Sequence, residues 1–99
     1  MLKIVKKKDG TNLVIDLIGR LDSNTSKELE DDLNGVLDGI TALTFNFKEL
    51  EYISSAGLRI LLSCQKVMNK QGNMKVINVN ETIKDIFEVT GFIEILYIE

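Results

Sequence analysis

The spacing of apolar residues changes along the chain in a regular order. Leu2 and Ile4 alternate with lysines, the period of a strand with one sheltered face. Asp9-Gly10 follows, a pair suited to a tight hairpin turn because glycine takes positive φ freely. Leu13, Ile15 and Leu17 then share one face of a second strand, so the first two strands are expected to form a hairpin. Asp22-Ser23-Asn24-Thr25 collects helix N-cap residue types, and Thr25 with Glu28 has capping-box spacing. Leu29, Leu33, Val36 and Leu37 continue as one helical stripe, which Gly39 ends.

The same alternation of signals repeats downstream. Leu43, Phe45 and Phe47 alternate with Thr44 and Asn46, a third strand. Ser54 and Ser55 open a second helix with Gly57, Ile60, Leu61, Cys64, Val67 and Met68 on its inner stripe. Arg59, Ser63, Lys66 and Lys70 form its solvent stripe, with Leu58 and Leu62 on the margin. Gly72 is expected to close that helix in a left-handed conformation. Met74–Val79 reads as a fourth strand, and Asn80 caps a third helix whose inner face is Ile83, Ile86, Phe87 and Thr90. Gly91 stops it, and Ile93–Ile98 reads as a last strand. The order β-β-α-β-α-β-α-β predicts one α/β domain over residues 1–99. Its sheet should be mixed and mostly parallel after the hairpin, because each later pair of strands is separated by a helix.

Composition narrows the function more than the fold. The chain has 99 residues and a net charge of −3, which argues against a basic nucleic-acid binder. No apolar run is long enough for a membrane-spanning helix, and no signal-peptide core opens the sequence. A cytoplasmic domain is the expectation. The absence of histidine removes imidazole bases, His-containing triads and His-based zinc sites together. The aspartates have no metal-loop spacing, and no glycine-rich phosphate loop is present. No metal, no cofactor and no enzymatic activity are therefore expected. Cys64, on an inner helix stripe, reads as a small core residue rather than a reactive thiol.

The informative stretch is Tyr52-Ile53-Ser54-Ser55-Ala56-Gly57-Leu58, which passes from a strand into a helix. Backbone N–H groups are unpaired at such a terminus and the dipole is positive there. A serine hydroxyl at this place is either a plain N-cap or an exposed acceptor for a phosphoryl group, and two adjacent serines allow one of each. Gly57 points to tight packing or to a close approach by another group. Leu58 and Leu62 are either core residues or an exposed apolar contact beside Ser55.

Phe47 to Leu62, FKELEYISSAGLRILL, resembles the signature of the STAS family, and more narrowly that of the bacterial anti-sigma factor antagonists. Gly19-Arg20-Leu21-Asp22 and Thr90-Gly91-Phe92 match as well, and the resemblance runs through the whole chain. It implies a switch. The unphosphorylated protein would bind an anti-sigma factor that is also a serine kinase, releasing a sigma factor. Phosphorylation of the signature serine, Ser55 here, would weaken that complex, and a PP2C-type phosphatase would reverse it. Ser54, Ser55, Ala56, Gly57, Leu58 and Asn46 are the implied partner-binding residues, with Ser54 the fallback acceptor. Two departures stand out: Ser54 replaces the signature Asp, and Asn46 replaces an Asp that often ends the preceding strand. The alternative is a constitutive STAS adaptor of a transport or stress-signalling complex, without phosphoregulation.

The remaining charge features read as solvated surface. The acidic first helix, with Glu28, Glu30, Asp31 and Asp32, either is a solvated face or steers a basic partner. Lys6-Lys7-Lys8 is too short for a nucleic-acid or lipid patch and discourages pairing at a sheet edge. No heptad seam or long apolar edge is visible, so the free domain is expected to be a monomer.

Overall fold

The computed structural model describes residues 1–99. Four strands form one sheet in sequential order: β1 (Leu2–Asp9), β2 (Asn12–Leu21), β3 (Ala42–Ile53) and β4 (Asn73–Ile77). The hairpin β1–β2 is antiparallel, with Asp9 opposite Asn12 and Gly10 at φ +62° in the turn. The pairs β2–β3 and β3–β4 are parallel, as the intervening helices require. Those helices are α1 (Thr25–Asp32) and α2 (Ser55–Gln71), and α3 (Glu81–Thr90) follows β4. Leu13, Ile15, Leu17, Phe45 and Val76 from the sheet meet Leu29 of α1, Leu61 and Met68 of α2, and Ile83 and Phe87 of α3 in one core.

Several elements differ from the sequence expectation, among them β4, which ends at Ile77 rather than Val79. α1 stops at Asp32 and does not run to Gly39. Residues 33–39 instead form turns, with Gly35 at φ +77° and Gly39 at φ +79°. Leu33, Val36 and Leu37 still pack on the core, so burial preserves a helix-like spacing in a segment that is mostly turn. The last strand is absent. Phe92–Glu94 is a short 3₁₀ turn, and beyond it Ile98 makes a single parallel bridge to Val76. Gly72 has φ 174°, extended rather than left-handed. Glycine is needed there because a Cβ would overlap the Thr41 carbonyl, whose oxygen accepts from Asn73 N–H at 3.0 Å.

β3 is longer than expected, and the reason bears on the site. Its register with β2 shifts twice, between Asp16/Ile18 and between Gly19/Arg20. Each shift inserts one extra β3 residue, as a β-bulge does. An unbroken alternation from Phe47 would bury Glu49 and Glu51. With the bulges, Leu50 and Ile53 turn inward and both glutamates stay exposed. Asn46 supports the first bulge, because its Oδ1 accepts from Lys48 N–H at 3.1 Å and from Asn78 Nδ2 at 2.9 Å.

The third helix follows its sequence signals closely. Asn80 Oδ1 accepts from Ile83 N–H at 2.9 Å, and Gly91 closes the helix at φ +81°. Thr90, expected on the inner face, is exposed and donates back to the Ile86 carbonyl at 2.7 Å.

Candidate functional site

The carboxyl ends of β2 and β3 lie side by side, with Leu21 paired to Ile53. Both strands feed helices from this edge, the place where parallel sheets commonly bind ligands and partners. At the first junction Asp22 and Thr25 form a closed network. Asp22 Oδ1 accepts from the N–H groups of Asn24 and Thr25, each at 3.0 Å. Thr25 Oγ1 accepts from Asp22 N–H at 2.9 Å and donates to the Arg20 carbonyl at 2.7 Å. Ser26 Oγ donates to the Asp22 carbonyl at 2.7 Å. The backbone N–H of Thr25 is the main influence holding the Asp22 carboxyl below its ordinary range. The expected Thr25–Glu28 capping box is not formed. Thr25 is already the first helical residue, and the N-cap Asn24 makes no side-chain bond to the helix. The Asp22 carboxylate performs the capping that the local spacing assigned to Thr25.

At the second junction the two serines separate into distinct roles. Ser54 N–H donates to the Leu21 carbonyl at 2.8 Å, which ties the end of β3 to β2. Its backbone is extended, and Ser54 Oγ accepts from Gly57 N–H at 3.4 Å, making Ser54 the N-cap of α2. Ser55 is the first helical residue and is exposed. Ala56 is half-buried. Gly57 is buried against the sheet, where a Cβ would lie 2.8 Å from Ile53 Cγ1 and from Leu21 Cδ2. Its requirement is packing of α2 on the strand ends.

Two residues expected at a partner surface lie elsewhere. Leu58 is 4% exposed, so its side chain belongs to the core rather than to a contact beside Ser55. It sits one position past the exposed face because the buried Gly57 lets α2 approach the sheet closely. Asn46 is seven residues upstream of Ile53, about 20 Å back along β3 at ~3.3 Å per residue, and serves the bulge. The surface that the structure brings together is therefore Ser54, Ser55 and Ala56.

Sequence reasoning missed two neighbours of this surface. The Arg20 guanidinium stacks 4.7 Å from the centre of the Tyr52 ring, a cation–π contact across the paired strand ends. No motif marks it, since the pairing depends on the second bulge. The other is a groove of about 760 Å³ between α1 and α2. Leu33, Leu37, Ile60, Cys64 and Val67 line its apolar part. Val67, expected inside, is 41% exposed here because α1 ends early and leaves that side of α2 uncovered. Ala56, Arg59 and Lys27 reach the same groove, which makes it continuous with the serine surface. Cys64 is buried at its base, and burial pushes its thiol up to about 11, so it is not a thiolate near neutral pH. No group of side chains is placed to hold a metal ion, and no helix is long and apolar enough to cross a membrane.

The acidic residues of α1 divide between two settings. Asp32 pairs with Lys6 at 2.8 Å, while Glu28, Glu30 and Asp31 are exposed. Lys7 pairs with Asp16 at 3.1 Å, so two residues of the lysine run are engaged within the fold.

The chain belongs to the STAS domain family, whose model matches residues 3–99. Among its relatives, BtrV of Bordetella bronchiseptica is 30% identical over 96 residues, covering 95% of this chain and 83% of BtrV. The anti-sigma-B factor antagonist of Bacillus subtilis is 25% identical over 91 residues, covering 91% of this chain and 84% of that protein. The fold is shared with a crystal structure of an anti-sigma factor antagonist from Mycobacterium paratuberculosis, at TM-score 0.89 and 20% identity, covering 99% of this chain and 85% of that one. It is shared too with the Bacillus cell fate determinant SpoIIAA in its phosphorylated form, at TM-score 0.73 and 18% identity, covering 100% of this chain and 91% of that one.

Proposed function

We propose that this chain is an anti-sigma factor antagonist regulated by phosphorylation of Ser55. Unphosphorylated, it binds an anti-sigma factor that is also a serine kinase and so frees a sigma factor. Phosphorylation of Ser55 by that kinase turns binding off, and a PP2C-type phosphatase restores it. The carrying observation is the division of labour between the serines: Ser54 caps α2, and Ser55 stands exposed at the helix start. The family membership and the antagonist relatives support the reading.

The physics of the switch is local. A phosphoryl group brings about −1.5 to −2 charge at pH 7. The helix terminus tolerates it, because unpaired N–H groups and the dipole favour an anion there. A partner surface packed over Ser54, Ser55 and Ala56 does not. Disrupting a buried polar contact costs about 2–5 kcal/mol, roughly 30-fold to several-thousand-fold in affinity. Ser55 is exposed and unbonded, so the modification leaves the core and its caps in place.

The test is paired. Mass spectrometry of the protein from its native cells, beside Ser55→Ala, should find one phosphoryl group that the variant lacks. Titration calorimetry against the anti-sigma factor of the same cells should show Ser55→Asp binding at least 30-fold more weakly. Equal binding of Ser55→Asp and the parent chain would sink the switch. An unmodified protein with a stably bound partner under every growth condition would favour a constitutive adaptor instead.

A further inference from the structure

Arg59 lies four residues after Ser55 on α2. At that spacing two helical side chains stand one above the other, with Cβ atoms about 6 Å apart. The order is also the favourable one, anion toward the N-terminus and cation one turn on. Arg59 is exposed and lines the groove beside Ala56.

What makes this arginine informative is that it is uncommitted. The ion pairs of the chain are Lys6–Asp32, Lys7–Asp16 and Lys75–Glu99, and Arg59 takes part in none. The other arginine, Arg20, is occupied by the Tyr52 ring. Charged groups on the neighbouring elements do not compete on equal terms. Asp22, in the β2–α1 junction, is tied to the N–H groups of Asn24 and Thr25. Glu51 belongs to β3, on the sheet. Glu30 and Asp31 line the α1 side of the groove, as does Lys27.

Resting on the reading that Ser55 is the phosphoacceptor, we propose that Arg59 is the intramolecular receptor of its phosphoryl group. The planar guanidinium donates two parallel hydrogen bonds to phosphoryl oxygens, a geometry an ammonium cannot supply. Phosphorylation then acts twice. It places a dianion on the partner surface, and it draws Arg59 away from the groove mouth, where the free cation faces the partner. Arg59 is a positioning residue in this account, since it holds the modification and takes no part in making or breaking its bonds.

The experiment installs phosphoserine at position 55 of the full chain by genetic encoding and follows its second ionisation by phosphorus NMR. Holding the dianion lowers the titration midpoint. The parent chain should titrate about half a pH unit below Arg59→Gln, with Arg59→Lys in between, and the gap should close in high salt. The unmodified variants should melt with the parent, since the side chain is exposed. Identical midpoints for the parent and Arg59→Gln would overturn the proposal. So would a rise in midpoint for Lys27→Gln with none for Arg59→Gln, which would make Lys27 the receptor. Because the phosphoryl group is installed during synthesis, the result does not depend on a cellular kinase, and absence of the modification in cells would strike the proposed switch while leaving this contact standing.

Discussion

Of the β–α junctions at the carboxyl edge of the sheet, those after β2 and β3 are built to opposite standards. After β2, Asp22, Thr25 and Ser26 close a network of hydrogen bonds between 2.7 and 3.0 Å, and Thr25 and Ser26 are buried. After β3, one 3.4 Å contact from Gly57 N–H to Ser54 Oγ caps a helix more than twice as long, and the next hydroxyl is left free. The short helix α1 needs its terminus secured, because it has little length over which to recover the cost of starting. The long helix α2 is held by its buried face, with Leu58, Leu61, Cys64 and Met68 in the core, so its first turn is available for another use. The difference teaches where a fold can leave a hydroxyl free: at a terminus whose position is already secured by packing elsewhere.

Four substitutions test that contrast, in decreasing order of effect. Thr25→Val keeps the shape but removes the hydroxyl that bridges Asp22 N–H and the Arg20 carbonyl, leaving both sheltered groups unpaired. It should cost about 1–3 kcal/mol in chemical denaturation, and a loss no larger than that of Ser54→Ala would break the comparison. The same junction should be acid-sensitive. The Asp22 carboxyl is held below its ordinary 3.8, so its contribution is present above that pH and is lost as pH falls through the lower folded value. Asp22→Asn should flatten that part of the stability profile between about pH 5 and 2.

Ser54→Ala should cost about 0.5–1 kcal/mol, the low end for an N-cap because its bond is long. Ser55→Ala should change stability by less than ~0.5 kcal/mol, the range of an ordinary surface substitution. A melting shift for Ser55→Ala as large as that for Ser54→Ala would mean that the two serines share the cap, and the free hydroxyl would lose its special standing.

Local signals in the sequence carried far where the determining contacts are local. The Asp9-Gly10 turn, the Asn80 cap, the Gly91 stop and the body of α2 all depend on residues within about four positions of each other, and all occur as read. The site was half legible in the same way: the Ser54-Ser55 pair at a helix start announces one capping and one free hydroxyl without saying which. The closest misreading was α1, where N-cap residue types were recognised but the roles of Asp22 and Thr25 were exchanged. That exchange depends on the Arg20 carbonyl at the end of β2, which local spacing does not include.

What only the tertiary structure decided rests on contacts between distant parts of the chain. The bulges of β3 exist because β2 is the ruler against which its register is set, and they turn Leu50 inward in place of Glu49 and Glu51, while the last pair, Leu21 with Ile53, leaves Ser54 N–H on the Leu21 carbonyl. The burial of Leu58 follows from the close seat of Gly57 on Leu21 and Ile53. The early end of α1 opened the groove that Val67 and Arg59 line. Sequence by itself thus determined the kinds and order of the elements from β1 to α3 and the chemistry available at one helix start, because turn, cap and periodicity act within a few residues. The choice between neighbouring serines and leucines, and the cation beside them, fell to the packed fold, because a shift of one residue in a strand or a helix moves a side chain from one face to another.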